Sequence, residues 1–447
     1  MSRKDVLKNF EQNSTENEER INFGIENYRK GDFCIKVEAE DGNVVRDAQI
    51  KIVQKSHEFK YGANLFMLDE LETEEKNIKY RKYFREAFNM ATLPFYWSDL
   101  EPERGKTRYE KDSPKIYRRP PIDLCMEFCE ENNIEPREHA LAYCNFFPKW
   151  IEKNNVESIK KDLEKRYKEI SQRYADRINT IEVTNETWWY ELSEKHDVLN
   201  ALYQENDFVE YCFKLAEKYF PNNQLAINEY AAVWDSAGTN RDRYYMQIER
   251  AIKNGARIDA IGMQFHMFFK KEDELEKTKN YYNPCLANKI LDRYSDFDLP
   301  IQLTEVTVPA YSYASEDEEV QAEIIKRLYK FWFSHKNVEQ IMYWNLVDGY
   351  AAYAPQGDMT AGENYYYGGL LRFDLTPKPS YYVIKDLFEK EWHTELKAKT
   401  ENNGSLCFRG FFGEYEILIE YNNKVYKSTE FFSRKPNTNN IKTIILK

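Results

Sequence analysis

The amino-acid sequence predicts an α/β protein: a (β/α)8 barrel, the TIM-barrel fold, with a small accessory β-sandwich. From Tyr61 onward, short apolar runs alternate with longer helical patterns, which is typical of repeated βα units and a parallel sheet. Eight such runs over about 330 residues fit one barrel with some long loops. They occupy residues 61–67, 88–95, 138–143, 180–185, 224–228, 260–266, 301–306 and 340–345. Strands with alternating polar and apolar residues before and after this repeat predict the second β-domain.

In chain order, residues 1–30 are expected to form a helical segment. Residues 31–57 predict a β-hairpin, with strands at 33–39 and 48–53 around the turn Asp41-Gly42-Asn43. The barrel is assigned to residues 58–394, and residues 395–447 return to a strand pattern. Because an isolated hairpin is marginally stable in water, we expect the early hairpin and the late strands to join in one β-sandwich.

The composition limits the class of protein. The chain has 447 residues, of which 42% are hydrophobic and 31% charged, with 16 Gly and 15 Pro. These values exclude collagen-like, disordered and low-complexity classes. Lys and Arg number 64 against 76 Asp and Glu, a net charge of −12, and no long basic run is present, so we expect no nucleic-acid partner. Aromatic residues make up 15%, which suits stacking on the apolar faces of sugar rings.

Targeting signals and cysteines give further expectations. Residues 1–20 lack the apolar core of a signal peptide, and no apolar stretch reaches the roughly 18 residues of a membrane helix, so we expect a cytoplasmic protein without membrane partners. The seven cysteines lack paired CxxC spacing and are expected to be free buried thiols. Cys125 and Cys129 lie four apart on a predicted helix without a companion Cys or His pair, so no metal is expected.

Two glutamates stand where a barrel places its reactive groups, at the carboxyl ends of strands. The fourth run ends in Asn185-Glu186, and the seventh run ends in Glu305. The fourth and seventh strands face one another across the barrel mouth, so these carboxyls can approach the about 5–5.5 Å that a retaining glycosidase needs. One would attack the anomeric carbon while the other protonates the leaving oxygen. The structural alternative for each is a strand-end glutamate paired with Arg or Lys.

Several ordered segments resemble glycoside hydrolase family 10, the xylanase family of the clan A (β/α)8 retaining glycosidases. Residues 138–143 (EHALAY) are similar to its GHTLVW segment, 183–186 (VTNE) to its VNE motif, and 260–266 (AIGMQFH) to GIGMQSH. Residues 303–305 (LTE) match the ITE motif, and 343–348 (YWNLVD) resemble FWGVTD. The later stretches 370–374 (LLRFD) and 377–381 (PKPSY) resemble LLFD and PKPAY.

The resemblance implies a role for each matching residue. Glu305 would be the nucleophile and Glu186 the acid/base, with no cofactor required. Asn185 would form a hydrogen bond with the sugar 2-hydroxyl. His266 would orient Glu305, and Gln264 would lie beside Glu305. The other residues implied in substrate binding are His139, which would reach a sugar hydroxyl, Trp344, the floor under the ring, and Tyr230. We also predict that Trp188 and Trp189, which follow the acid/base, stack on the leaving-group side.

The sequence departs from the family where the non-reducing sugars of xylan are held. The second-strand segment reads Thr92-Leu93-Pro94-Phe95-Tyr96-Trp97 in place of the family's Glu-Asn and Met-Lys-Trp, and Tyr143-Cys144 replaces Trp-His. The expected function is therefore retaining hydrolysis of soluble β-linked oligosaccharides or small glycosides. An endo-β-1,4-xylanase acting on xylan fragments and a barrel that binds carbohydrate without cleaving it are the alternatives. The sequence predicts no oligomeric state.

Overall fold

The computed structural model describes residues 2–188 and 200–447. Its strands are β1 (Lys30–Ala39), β2 (Gln49–His57), β3 (Lys60–Asn64), β4 (Met90–Pro94), β5 (Glu135–His139), β6 (Ala142–Tyr143), β7 (Thr180–Asn185), β8 (Gln224–Glu229), β9 (Ala260–His266), β10 (Ile301–Thr307), β11 (Val338–Tyr343), β12 (Glu395–Lys399), β13 (Ser405–Phe411), β14 (Gly413–Tyr421), β15 (Lys424–Phe432) and β16 (Ile441–Leu446).

The α-helices are α1 (Ser14–Gly24), α2 (Glu74–Ala87), α3 (Trp97–Leu100), α4 (Ile122–Glu131), α5 (Val156–Tyr174), α6 (Phe208–Tyr219), α7 (Arg243–Lys253), α8 (Glu274–Lys277), α9 (Pro284–Tyr294), α10 (Ser315–Ser334) and α11 (Pro379–Asp386). Side chains cap several of them: the Thr73 hydroxyl accepts the Lys76 N–H before α2, and Asn155 accepts the Ser158 N–H before α5. Within the described residues, no helix combines the length and apolarity needed to cross a membrane.

Strands β3 to β11 form the closed parallel barrel that the sequence predicts. They are ordered β5-β4-β3-β11-β10-β9-β8-β7-β6, and pairing of β5 with β7 closes the sheet. The third barrel strand is divided into β5 and a short β6. Every residue of β7, β9 and β10 is buried, because helices and the barrel interior cover the two faces of such a strand. The fold class is therefore confirmed.

The remaining strands form two small sheets that share one apolar core. One sheet has the order β13-β1-β16 and the other β12-β2-β14-β15. Their common core includes Phe33 and Ile35 of β1, Ile52 of β2, and Tyr415 and Ile417 of β14. This is the accessory β-sandwich, formed by strands from before and after the barrel.

The predicted hairpin at residues 31–57 is wrong. β1 and β2 lie in different sheets: β1 pairs with β13 and β16, while β2 pairs with β12 and β14. The chain does turn back after β1, where the Ala39 N–H donates to the Asn43 carbonyl oxygen and Glu38 bridges to Val44, but this local pairing ends before β2 begins. Both strands find their ladder partners near the carboxyl terminus instead. A long-range pairing of this kind leaves no mark on the local alternation pattern.

The expectation of seven free thiols is also wrong, since Cys34 and Cys407 form a disulfide. These residues face each other in the antiparallel pairing of β1 with β13. They are 373 residues apart in the chain, so no spacing motif could indicate the bond. Cys125, Cys129, Cys144, Cys212 and Cys285 form no disulfide.

The chain divides into two compact units whose limits differ from the assigned domains. The barrel unit takes residues up to Gln12, the described residues of Tyr61–Ile325, and Asn337–Tyr381. The sandwich unit takes Asn13–Lys60, Lys326–Lys336 and Tyr382–Lys447. The amino-terminal helical segment is thus divided, and residues 382–394, assigned to the barrel, belong to the sandwich unit.

Candidate active site

Polar side chains follow one another at the carboxyl ends of neighbouring barrel strands. In the parallel pairing of β9 with β10, Gln264 lies opposite Glu305. Asn185, the last residue of β7, lies opposite Asn228 of β8. Side chains at the same level of adjacent strands meet at the mouth of a barrel. Strand register therefore brings together residues from four separate βα units.

Glu305 is held by three neighbouring side chains and is only 4% exposed. Its Oε1 accepts from Asn228 Nδ2 at 3.2 Å and from Gln264 Nε2 at 3.1 Å, and its Oε2 lies 3.2 Å from His266 Nε2. Burial lowers the pKa of His266 to about 4, so its ring is neutral. With Thr307 Oγ1 donating to Nδ1 at 2.9 Å, we assign the tautomer in which Nε2–H donates to Glu305.

Glu186 lies directly beyond β7 with a backbone φ of 52°, a left-handed conformation that is costly for a non-glycine residue and is typical of functional sites. Its Oε2 accepts from the Tyr143 hydroxyl at 2.7 Å, and its Oε1 accepts from Gln264 Nε2 at 2.9 Å. Burial raises the pKa of Glu186, although these hydrogen bonds oppose the shift. Since Gln264 Nε2 also donates to Glu305 at 3.1 Å, the bonded carboxylate oxygens cannot be more than about 6 Å apart.

A buried ionic network lies below these carboxyls. Glu182 Oε2 accepts from Arg137 Nη2 at 2.6 Å, and Glu182 Oε1 accepts from His139 Nδ1 at 2.8 Å. Burial would lower the pKa of His139, but the Glu182 carboxylate outweighs it and raises that pKa. Burial also raises the pKa of Glu305, and the positive charge of His139 opposes that shift. Burial and the carboxylates of Glu182 and Glu186 outweigh this opposition, so the pKa of Glu305 stays well above its ordinary value.

Aromatic rings form one wall of the same region. Trp344 is 6% exposed, and its ring centroid lies 5.4 Å from that of His139, 6.0 Å from His266 and 5.3 Å from Phe66. Such a ring can support the apolar face of a sugar. Asn185 Oδ1 accepts from Asn228 Nδ2 at 2.9 Å, while its own Nδ2 is buried without a partner among the described residues. That amide nitrogen is available to donate to a ligand.

The structure brings most of the predicted site residues together. Glu186, Glu305, Asn185, Gln264, His266, His139 and Trp344 all meet as described above. Tyr230 is half-buried, and burial followed by the Glu186 charge raises its pKa to about 12. Trp188 is buried, and its backbone N–H donates to Glu229 Oε2 at 3.1 Å. Trp189 lies outside the described residues.

Sequence reasoning missed several residues that hold the site. Asn228 donates a hydrogen bond to Glu305, and Tyr143 donates one to Glu186. The third feature is the ion pair of Glu182 with Arg137. The charged pair offered a signal, because ionisable residues inside otherwise apolar barrel strands are rarely buried unless they are paired. Tyr143 and Asn228 offered none beyond their position near strand ends.

A metal centre finds no support. Across residues 2–188 and 200–447, no three His, Cys, Asp or Glu side chains are grouped as a metal would require. Cys125 and Cys129 are both buried, and burial raises the pKa of each thiol.

Comparison with known proteins finds relatives of similar sequence and fold. Endo-1,4-beta-xylanase B of Thermotoga neapolitana is 24% identical over 344 residues, which cover 74% of this chain and 88% of that protein. Anti-sigma-I factor RsgI6 of Acetivibrio thermocellus is 23% identical over 414 residues, 90% of this chain. The crystal structure of xylanase 10B from Thermotoga petrophila RKU-1 with xylobiose has 22% identity and a TM-score of 0.56, covering 75% of this chain and 95% of that one.

This chain spans less than half the length of some relatives. It covers 46% of the Acetivibrio protein and 38% of Endo-1,4-beta-xylanase 1 of Arabidopsis thaliana, which is 23% identical over 413 residues. The model of Glycosyl hydrolase family 10 matches residues 54–387, well over half of the chain and all of the barrel strands. The chain therefore belongs to glycosyl hydrolase family 10.

Proposed function

We propose that this chain is a retaining β-glycoside hydrolase that acts on soluble β-linked oligosaccharides or small glycosides by double displacement. The observation that carries the proposal is the shared amide of Gln264, which donates to Glu186 at 2.9 Å and to Glu305 at 3.1 Å. Retaining enzymes hold their two carboxyls about 5–5.5 Å apart, whereas inverting enzymes separate them by about 6.5–9.5 Å. The upper limit of about 6 Å set by Gln264 supports the retaining class.

In the first step, a Glu305 carboxylate oxygen attacks the anomeric carbon as the bond to the leaving oxygen breaks. Glu186 gives its proton to that oxygen, so the leaving group departs as an alcohol. In the second step, Glu186, now ionised, takes a proton from water, and the hydroxyl oxygen displaces Glu305 from the anomeric carbon. Two inversions leave the product with the configuration of the substrate.

The required protonation states follow from the surroundings of the two carboxyls. Glu305 accepts from three donors, which stabilise its ionised form, whereas burial raises its pKa well above the ordinary value. Glu186 faces two donors and is half-buried, and removal from water raises its pKa. Two carboxyls this close share one proton at neutral pH, and we assign it to Glu186 because Glu305 has more hydrogen-bond donors around it.

The substrate would lie with its reacting ring on Trp344. The unpartnered Asn185 Nδ2 is suited to the sugar 2-hydroxyl, a contact that strengthens in the oxocarbenium-like transition state. His139 would reach another hydroxyl of the same ring. These contacts use donors whose positions are already set by hydrogen bonds, which reduces the ordering needed on binding.

Endo-1,4-β-xylanase activity on xylan fragments is the second candidate, favoured by relatives of that name in Thermotoga and Arabidopsis. A barrel that binds carbohydrate without cleaving it is the third. A relative named as an anti-sigma factor is the observation in its favour. The paired carboxyls Glu186 and Glu305 argue against it, because carbohydrate binding alone does not need them.

The test is hydrolysis of aryl β-xyloside, β-xylobioside, β-glucoside and β-cellobioside between about pH 5 and 8, with Glu305→Ala measured in parallel. Turnover by the wild type that is lost in a folded variant supports the proposal. Preference for the disaccharides would favour the endo-xylanase, and preference for a monosaccharide would favour a small-glycoside enzyme. Binding of glycans without turnover of any substrate would refute hydrolysis.

A further inference from the structure

Two adjacent arginines lie next to the aromatic wall of the site and have no part in the mechanism above. Arg118 and Arg119 belong to the loop between α3 and α4. The Arg118 guanidinium carbon lies 5.7 Å from the ring centroid of Phe66, and that of Arg119 lies 5.5 Å from it. Phe66 in turn packs edge-on against Trp344, with centroids 5.3 Å apart. The arginine pair is therefore one aromatic ring away from the proposed floor of the reacting sugar.

Arg118 is buried without a carboxylate partner. It is 6% exposed, and its guanidinium donates to the Tyr350 carbonyl oxygen and, at 3.3 and 3.4 Å, to Asn345 Oδ1. None of the described residues forms an ion pair with it. Burial lowers the pKa of Arg118, and the neighbouring Arg119 charge lowers it further. A buried cation held only by neutral acceptors is costly, and that cost is relieved when an anion binds.

Other charges near Arg118 leave the cation uncompensated. Asp99 accepts from Arg119 Nε at 2.7 Å, so that carboxylate is already paired. Glu363 also acts electrostatically on Arg118, but its Oε2 accepts from Asn345 Nδ2 at 3.3 Å. Asn345 thus contacts both Arg118 and Glu363 through its two amide atoms.

The loop holds both arginines in fixed positions. Arg108 is buried and its guanidinium donates to three carbonyl oxygens of this loop region: that of Pro114 at 2.7 Å, Asp99 at 2.9 Å and Arg119 at 3.0 Å. Arg118 has a backbone φ of 63°, a conformation that is retained at a cost and is typical of residues with a specific task. The guanidinium groups are therefore placed before any ligand arrives.

The position of the pair indicates which part of a substrate it would meet. Phe66 follows β3, and Tyr96, whose ring lies 4.0 Å from the Arg119 guanidinium carbon, follows β4. Glu186, which would protonate the leaving oxygen, instead follows β7. The Tyr96 hydroxyl lies 3.0 Å from His139 Nε2, which connects the arginines to the reacting ring. They thus lie on the side of the sugar that stays bound to Glu305.

We propose that Arg118, assisted by Arg119, binds the carboxylate of a uronic acid on the glycone side of the cleft. This inference rests on the proposed function, whose substrate class it narrows. A planar guanidinium matches a planar carboxylate through paired hydrogen bonds, a geometry that neutral sugar hydroxyls do not offer. The missing counter-charge of Arg118 would then be supplied by the substrate.

The first experiment compares aryl β-D-glucuronide with aryl β-D-glucoside, which differ only in a carboxylate in place of a hydroxymethyl group. For the wild type we expect a roughly 10- to 100-fold higher kcat/KM on the glucuronide, the range for hydrogen bonds to a charged group. Turnover of the neutral glycoside without this preference would overturn the inference and leave the proposed function intact.

The second experiment measures the same ratio of kcat/KM values in Arg118→Met. The preference for the glucuronide should fall by at least about 10-fold, whereas Arg241→Met should keep the wild-type ratio. Arg241 is exposed and pairs with Glu249 at 3.1 Å. Its replacement is the control, because it also removes one arginine charge. An unchanged ratio in folded Arg118→Met would assign that residue a structural role and overturn the inference.

A binding measurement separates failure of the inference from failure of the proposed function, and it needs no variant. Calorimetric titration of the intact protein with methyl β-D-glucuronide and methyl β-D-glucoside should give roughly 10-fold tighter binding of the glucuronide. Tighter binding without hydrolysis of any glycoside would refute the hydrolase and support the subsite. Equal affinities would overturn the subsite even if Arg118→Met does not fold.

Discussion

Replacing Tyr143 with Phe removes one hydrogen-bond donor from the Glu186 carboxyl and tests which residue supplies the proton. The Tyr143 hydroxyl lies 2.7 Å from Glu186 Oε2, and Gln264 occupies the other oxygen. A donor to a carboxylate stabilises its ionised form and so lowers the pKa of Glu186. Without that donor, the pKa of Glu186 should rise above its value in the wild type.

The size of the shift follows from the strength of this hydrogen bond. A hydrogen bond to a charged group contributes about 1.5–3 kcal/mol, and 1.36 kcal/mol corresponds to one pKa unit. The hydroxyl can also accept from the protonated carboxyl, which offsets part of the effect. We therefore expect the pKa of Glu186 to rise by about one to two units.

The assay is the pH dependence of kcat/KM on a glycoside with an unactivated leaving group, which needs the proton from Glu186. Because the acid must be protonated in the free enzyme, its pKa appears as the basic limb of the profile. In Tyr143→Phe this limb should move to higher pH, while Tyr382→Phe, which changes a half-exposed tyrosine of the sandwich unit, should not move it. A basic limb that stays in place or moves to lower pH would refute the assignment of Glu186 as the acid.

Three further predictions concern the nucleophile, a buried ion pair and the cysteines. With azide, Glu305→Ala should form a glycosyl azide of inverted configuration and Glu186→Ala one of retained configuration, as analysed by NMR; the same anomer from both would contradict the two roles. Lys378 contacts Asp348 at 2.6 Å, and both side chains are fully buried. Lys378→Met therefore leaves Asp348 without its counter-charge. It should lower the free energy of unfolding by about 3–5 kcal/mol in denaturant titrations, and a loss below about 1 kcal/mol would contradict a net role for the pair. Thiol titration in denaturant without reductant should detect five of the seven cysteines, whereas seven would exclude the disulfide.

Much of the barrel and the central part of the site could be predicted from the sequence, because both depend on local patterns. Apolar runs and amphipathic helices repeat along the chain; Glu186 directly follows one of those runs, and Glu305 lies near the end of another. A residue at the end of a barrel strand points to the mouth whatever the distant partner strands are. The resemblance of short motifs then assigned roles to residues at these same positions.

Other features depended on contacts between distant segments. The hairpin prediction failed because β1 and β2 find their partners near residues 395–446. Tyr143 is not distinctive in sequence, and its hydroxyl meets Glu186 only because β6 pairs with β7 in one particular register. The same holds for Arg118, because its position in a loop does not indicate that its charged side chain is buried.

The sequence by itself determined which elements form and which residues stand at the strand ends, because hydrophobic periodicity and strand termini are properties of a few consecutive residues. Only the tertiary structure decided which side chains share a hydrogen-bond donor, a disulfide or a counter-charge. The physical reason is that burial and electrostatic coupling depend on distances between segments, and those distances are set by barrel closure and strand register.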